Sequence, residues 1–400
     1  MTWHLLKLVW RRKRASGLIM AEIFLSFLVV FVVATLGLYF AGNYRRPLGY
    51  DVRGVWRVQI EANANLEDEA VSLEYGRSLD RMLREMRRID GVEAAAPLRL
   101  VPYDGNTWDS TQDLEDGRAL SYLVNFAGPG LTDVLGMRLD QGRWFEEADG
   151  ALAWAPVVVN RSLATEVFGA EDPIGKRLPI KDWDGKEPRV VGVIQDFRKG
   201  GELAPTRNYL FQGTRLAESN PVHPKNLLLR VAAGTPAIFE ETLIRRLQAL
   251  EPTWTFETTA VEAMRAASLR EQLVPLFVGA TIAGFLMFMV ALGLTGVLWQ
   301  NVTQRRQEIG LRRAVGAAAT KIHRQILTEL MLMTSLSLGL GLVLVLQLPA
   351  FDLVAFLGRG VLFGGAATAA LLIYILSSLC GWYPSQLSTR IHPVEALHYD

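Results

Sequence analysis

Few residues in this chain have the type and spacing for chemistry. Gly169 to Arg177 (GAEDPIGKR) resembles a phosphate-binding loop. Such a loop needs four residues between its glycines, an uninterrupted cradle of backbone amides, and a Ser or Thr for Mg²⁺. In this chain five residues separate Gly169 from Gly175, Pro173 interrupts the cradle, and Arg177 stands where the hydroxyl belongs. The spacing predicts a turn before a hairpin instead. The five histidines (His4, His223, His323, His392 and His398) show no ligand spacing. The single cysteine, Cys380, can build neither a zinc cluster nor an intrachain disulfide. No G-x-S-x-G nucleophile elbow occurs. Asn160-Arg161-Ser162 matches a glycosylation sequon, but the tripeptide is common by chance. Catalysis therefore has no residues to rest on, and no metal or cofactor is expected on the chain.

Two carboxylates, Glu22 and Glu329, lie inside long apolar runs. An intramembrane charge is costly and is by default a functional candidate. Both sit about one turn in from an end of their run, within reach of Arg14, Lys321 or Arg324, where snorkelling or pairing satisfies them. A proton relay would need carboxylates near the midplane. The last dense group is QRRQEIGLRRAVGA, Gln304 to Ala317, with four arginines and one glutamate between two apolar runs.

These residues must be positioned by membrane helices. Of 400 residues half are hydrophobic and 21% charged, with a mean hydropathy of +0.18. Apolar runs of about 20 residues read as bilayer-spanning helices, at ~1.5 Å rise per residue across ~30 Å of hydrocarbon. Four occur: 18–42, 272–299, 323–348 and 361–383. The first is too long for a cleaved signal peptide and no A-x-A site follows it, so it reads as a retained anchor. Residues 42–271 hold 29 Lys+Arg against 35 Asp+Glu, and the remainder is net basic. The basic residues cluster before the first span and in the 300–322 loop, whereas the 349–360 loop has one Arg and one Asp. The positive-inside rule then puts both termini (including the 384–400 tail) and the 300–322 loop in the cytoplasm, and 43–271 outside. Trp3, Leu6 and Trp10 face Lys7, Arg11 and Arg14 across a helical wheel, which suits an interfacial helix over 1–17.

The outer segment reads as mixed α and β. Strand, helix, strand patterns recur at 52–60, 66–89 and 92–101, and again at 226–231, 236–250 and 253–259. They flank a Gly-, Trp-, Asp- and Pro-rich insertion with two β-rich runs, 155–160 and 189–194, and a hairpin turn at DWDG, 182–185. Two lobes within one ectodomain are expected. Residues 260–271 look helical and continue into the second span as a stalk, where Pro275 is a candidate kink.

In the loop between the second and third spans, Glu308 and Arg312 form an i, i+4 pair, Ile309 is apolar, and Gly316 can close a helix in a left-handed cap. Thr320 can then N-cap the next span. A topogenic loop needs arginines only, so the pattern specifies a shape as well. Gly279, Ala283, Gly284, Gly293 and Gly296 make the second span small-faced, as Gly339 and Gly341 do the third, suited to close helix contact within a chain or across a dimer.

The run QRRQEIGLRRAVGAAATKIHRQILTELMLMTSLSLGLGL resembles the FtsX/MacB-type permease signature, R-x-x-E-I-G-[IL]-R-[RK]-A-[LV]-G-A followed by a helix with L-x-E-x-x-x-L. PVVVNRSLATEVFGAEDPIGKRLPI at 156–180, PRVVGVIQDFRKG at 188–200 and the ending YPSQLSTRIHPVEALHYD at 383–400 resemble the MacB-like branch in the same order. MacB proper carries an ATPase domain on the same chain, and this sequence begins at the membrane. The resemblance implies four transmembrane helices and a large α+β extracytoplasmic domain, with porter-like parts at about 46–105 and 221–262 and an inserted β-rich part at about 106–220. It implies a non-catalytic permease of a bacterial inner membrane, dimerising with itself or a related permease. Two copies of a separate ABC ATPase would bind ATP and Mg²⁺. Arg305, Arg306, Glu308, Ile309, Gly310, Arg312, Arg313 and Gly316 would form the coupling helix that meets the ATPase. A periplasmic adaptor and an outer-membrane duct belong to the same implied assembly, and nucleic acid does not. LolC/LolE-like lipoprotein release, or FtsX-like control of an extracytoplasmic hydrolase, are the alternatives that this resemblance leaves open.

Overall fold

The computed structural model describes residues 13–114, 117–182, 185–216, 218, 222–232, 234–235, 238–304, 319–348 and 357–389. In chain order the elements are α1 (Lys13–Tyr44), β1 (Val55–Glu61), α2 (Glu69–Met86), β2 (Val92–Leu98), β3 (Asp109–Asp113), β4 (Ala119–Ala127), α3 (Leu131–Leu135), β5 (Leu139–Gly142), β6 (Ala155–Asn160), α4 (Arg161–Phe168), β7 (Pro188–Ile194), β8 (Tyr209–Gly213), β9 (Asn226–Val231), α5 (Ile238–Leu250), β10 (Thr255–Ala260), α6 (Val261–Gln304), α7 (Ala319–Gln347) and α8 (Arg359–Thr389). They divide into a membrane unit, Met1–Gly42 with Gln272–Asp400, and an ectodomain unit, Asn43–Glu271.

In the membrane unit, α1, α6, α7 and α8 are each long and apolar enough to cross a bilayer. The α1 helix buries Ile19, Ile23, Phe27, Val30 and Phe31, a stripe at helical spacing. Lys13 already belongs to the same helix as the span, and residues 1–12 of the expected interfacial helix lie outside the described residues. Stalk and second span are one helix, α6, which passes Pro275 without ending. Thr320, expected as an N-cap, lies inside α7 because that helix has begun by Ala319.

The ectodomain is built on one ten-stranded sheet, ordered β10-β1-β9-β2-β4-β8-β6-β7-β5, with β3 paired to β4. Its two strand, helix, strand units are interleaved: β9 inserts antiparallel between β1 and β2, and β10 pairs β1 on its outer side. The result is the split βαβ arrangement of ferredoxin-like folds. Val58, Ile60, Leu227 and Leu229 pack under α2 and α5. The α2 helix starts three residues later than the pattern suggested, because Asp68 accepts the amides of Ala70 (2.9 Å) and Val71 (3.1 Å) as an N-cap.

The insertion carries the rest of the sheet. β6 and β7 are parallel across α4, and Leu163 anchors that helix in their core. The two lobes meet where β2 and β4 pair through a single residue couple, Leu98 and Ala127. Gly128 N–H to Pro97 O (3.0 Å) and Arg99 N–H to Phe126 O (2.9 Å) reinforce that joint. Gly169–Arg177 is the predicted turn: Gly175 N–H bonds Val190 O (2.8 Å) and Lys176 pairs with Glu171 (2.5 Å), so neither is free to cradle a phosphate. Leu178 N–H to Pro188 O (2.9 Å) closes a hairpin around the DWDG stretch, of which Trp183 and Asp184 lie outside the described residues. Asn160, the sequon asparagine, is buried and caps α4 (3.1 Å to Leu163 N) while donating to Asp196 and Arg207.

Candidate functional site

All the proposed ATPase contacts, Arg305, Arg306, Glu308, Ile309, Gly310, Arg312, Arg313 and Gly316, lie outside the described residues. What the structure places are their flanks, α6 up to Gln304 and α7 from Ala319.

The small residues of α6 separate into two groups. A Cβ on Gly279 would touch Val33 of α1 (3.2 Å), and one on Gly293 would sit 2.9 Å from a carboxylate oxygen of Glu22. Ala283 is buried. Gly284 and Gly296 face open space, so the expectation of close packing does not hold for them within this unit. Gly341, small-faced by its sequence, and Gly365, not singled out there, make the tightest contacts with α1. Gly341 of α7 receives Phe27, whose Cε1 is 2.6 Å from where a Cβ would be, and Gly365 of α8 receives Thr35, whose Cα and Cβ are at 2.9 Å. Thus α1 is in van der Waals contact with all three other spans. Glu22 rests half-buried against Gly293, and Glu329 accepts a hydrogen bond from Gln325 (3.3 Å). The side chains of Arg14 and Lys321 are outside the described residues.

The densest polar arrangement is in the ectodomain, in the loop that follows β7. Its sequence, QDFRKGGE, contains two acidic and two basic residues beside two glycines. Phe197 anchors the loop among Tyr50, Tyr209 and Phe211, at ring separations of 4.8–5.0 Å. Gly201 (φ +88°) turns the chain over the Tyr103 ring, leaving no room for a side chain. Tyr103 itself sits at φ +68°, the only described non-glycine residue in the left-handed region. Arg198 is 1% exposed and spends its guanidinium on three carbonyls: Arg46 (2.8 Å), Glu202 (2.6 Å) and Ala204 (3.2 Å). Its own backbone N–H reaches Leu48 O (3.0 Å), and Tyr50 Oη donates to Arg198 O (3.0 Å). Asn43 donates to Leu203 O (2.9 Å). On the other side, Arg265 of α6 pairs with Glu202 (2.5 Å), whose second oxygen accepts from Tyr103 (3.3 Å). Lys199 is buried against Asp104 and Asn106 O.

The loop therefore grips both segments that connect the ectodomain to its spans, residues 43–50 and the start of α6. Its electrostatics follow from burial. Desolvation lowers the Arg198 and Lys199 pKa values, with Asp104 opposing the shift at Lys199. It raises Tyr50 well above the usual phenol value and Tyr103 to about 12. Arg265 is raised by its hydrogen bond to Glu202. At neutral pH the tyrosines stay neutral donors, and nothing among these groups is poised for acid–base catalysis. Among the described residues no cluster of three His, Cys, Asp or Glu could hold a metal. What these groups do is hold backbone: their hydrogen bonds end on carbonyls of Arg46, Leu48, Asn106, Glu202 and Ala204.

Residues 16–240 match the family described as the MacB-like periplasmic core domain, and residues 280–393 match the FtsX-like permease C-terminal family. The chain belongs to the MacB/FtsX-like permease family. It is 27% identical over 290 residues to a macrolide export ATP-binding/permease protein MacB of Hahella chejuensis, spanning 70% of this chain and 43% of that protein. It is 26% identical over 265 residues to a pyoverdine export ATP-binding/permease protein PvdT of Pseudomonas syringae pv. syringae, spanning 64% and 40%. The chain covers less than half the length of these relatives. Among solved structures, the periplasmic region of MacB from Actinobacillus actinomycetemcomitans matches with a TM-score of 0.37 and 14% identity, over 55% of this chain and 94% of that one. This MacB/FtsX-like chain is thus an ABC-transporter permease, an inner-membrane protein with four spans and a periplasmic α/β domain.

Sequence reasoning missed the grip of Arg198, Glu202 and Arg265. PRVVGVIQDFRKG served only as a family marker, and its charges were given no role. One local signal was present: a Gly-Gly pair following an aromatic-flanked Arg-Lys run directly after a strand.

Proposed function

We propose that this permease transmits the ATP cycle of a separate ABC ATPase to its periplasmic domain and so drives export of a periplasmic substrate, together with an adaptor and an outer-membrane duct. The 300–322 segment is the ATPase contact, both termini are cytoplasmic, and two permease chains, identical or related, form the working unit. The observation that carries this reading is the 196–204 loop, which ties residues 43–50 and Arg265 of α6 to one point beneath the sheet. Any displacement of one connecting segment relative to the other strains that loop first. Arg198 holds the Arg46 carbonyl of one segment and the Glu202 carbonyl of the loop, and the Glu202 carboxylate holds Arg265 of the other.

Hydrogen exchange on the permease reconstituted with its ATPase tests this. Exchange of 196–204 should differ between ATP-bound and ADP-bound complexes, and Arg265→Gln should abolish the difference while leaving ATP hydrolysis intact. Identical exchange in both nucleotide states in the parent complex would defeat the proposal.

A further inference from the structure

A second feature of the ectodomain lies away from that loop, over the joint between the lobes. A cleft of ≈ 470 Å³ opens there, within the ~300–1,000 Å³ range of small-molecule sites. Its floor is the joint itself: Pro97 after the β2 alanines, Pro129 after β4, and Gly213–Thr214 at the end of β8. Leu83 and Phe145, both buried, and Leu216 complete an apolar bed.

The two walls differ in charge. The α2 wall brings Arg77, Arg84 and Arg87; the insertion wall brings the 146–149 turn with Glu146, Glu147 and Asp149. Most of these charges are already engaged. Arg84 pairs with Asp80 (2.5 Å), Arg215 with Glu218 (3.1 Å), and Asp149 is held by Arg143 (2.5 Å). Two are not. Arg87 binds only the carbonyl of Ala95 (2.9 Å) and has no carboxylate within ion-pair distance among the described residues. Glu147, on the opposite wall, has no cationic partner among the described residues. An unpaired cation and an unpaired anion on the two walls, over an apolar bed, are the few polar groups by which such a cleft orients a ligand.

We infer that the cleft is a binding site for an amphipathic zwitterion. Its anionic end meets Arg87, its apolar body lies on Phe145, Leu83 and the prolines, and its cationic end meets Glu147. Such a ligand touches both lobes across the joint of β2 and β4, so occupancy fastens them together. The assignment stands apart from how the domain is driven, and its test uses no ATPase.

Full-length permease in lipid nanodiscs is titrated calorimetrically with ω-aminoundecanoate, its methyl ester and its N-acetyl derivative, with empty nanodiscs subtracted. The zwitterion should bind saturably and more tightly than either blocked form. Arg87→Gln should weaken the zwitterion about tenfold, the scale of one lost charge-assisted hydrogen bond, and leave the ester unchanged. Glu147→Gln, at an exposed position where folding is not at stake, should weaken the zwitterion and leave the N-acetyl form unchanged. Equal affinity for all three probes, insensitivity to Glu147→Gln, or no saturable binding above empty nanodiscs overturns the inference.

Discussion

Replacing Asp104 with asparagine isolates the cost of the buried cation at Lys199. The two side chains are 7% and 5% exposed, so the pair is desolvated on both sides. Asp104→Asn leaves Lys199 charged with only Asn106 O as partner. It also turns an amide NH₂ toward one of the backbone N–H groups that Asp104 accepts, Val101 (2.8 Å) or Asn106 (2.9 Å). Removing one member of a buried pair costs about 3–5 kcal/mol. For a unit of this size each kcal/mol shifts melting by about 2–4 °C, so the ectodomain should melt about 6–20 °C lower. Lys199→Met leaves the Asp104 carboxylate buried with only its two amides, so it should cost a similar amount, about 3–5 kcal/mol. The double variant leaves neither charge unpaired, so its loss should fall far below the sum of the single losses. Melting of the detergent-solubilised full chain, followed by tryptophan fluorescence, measures all four proteins. Additive losses, or Asp104→Asn melting within about 2 °C of the parent, would refute the buried-pair account.

Other outcomes follow from the same geometry. Gly365→Leu should destabilise the membrane unit by about 1–3 kcal/mol through collision with Thr35, while Gly284→Ala, with open space beyond it, should be neutral by the same melting assay. Burial pushes the Asp149 carboxyl up, but hydrogen bonds from Arg143 and from the Glu146 amide outweigh it and hold it below 3.8. A carboxyl depressed on folding stabilises fully above its unfolded value and loses that contribution as pH falls through the folded one. Below pH 3.8, then, the parent should lose stability more steeply than Asp149→Asn in acid titrations followed by circular dichroism. Glu308→Lys or Gly310→Trp should abolish co-purification of the ATPase, and retained binding would sink the coupling-helix proposal.

The spans, the stalk continuous with α6, and the strands bounding α2 and α5 were all readable because their causes are local: apolar length, period and turn residues. Pairing was not. Nothing near Asn226 says that β9 must enter between β1 and β2, since that depends on facing residues far away in the chain. The same holds for the loop after β7. Arg198 is buried only because Arg46, Tyr50 and Tyr103 close over it, and a charge run read by itself is a solvated loop. In the membrane, Gly293 and Glu22 were each noticed, but their contact depends on how α1 and α6 approach. Gly365 was overlooked, and Gly339 and Gly341 could not be told apart, because glycine in an apolar run looks the same whether it faces a partner or open space.

The interleaving of β9 also fixes an order of assembly. β1, α2 and β2 leave the ribosome early, yet the strand that joins β1 to β2 follows only after the whole insertion. At roughly 5–20 residues per second, the ~130 residues between β2 and β9 take about 6–25 seconds to synthesise. During that interval β1 and β2 each have an unpaired edge flanking an empty slot, exposed to any strand that finds it first. The insertion can pair β4, β6, β7 and β8 in the meantime and fold as its own unit. The first lobe cannot. Its nascent form is an open clamp on the far side of the membrane, and biogenesis is most vulnerable there.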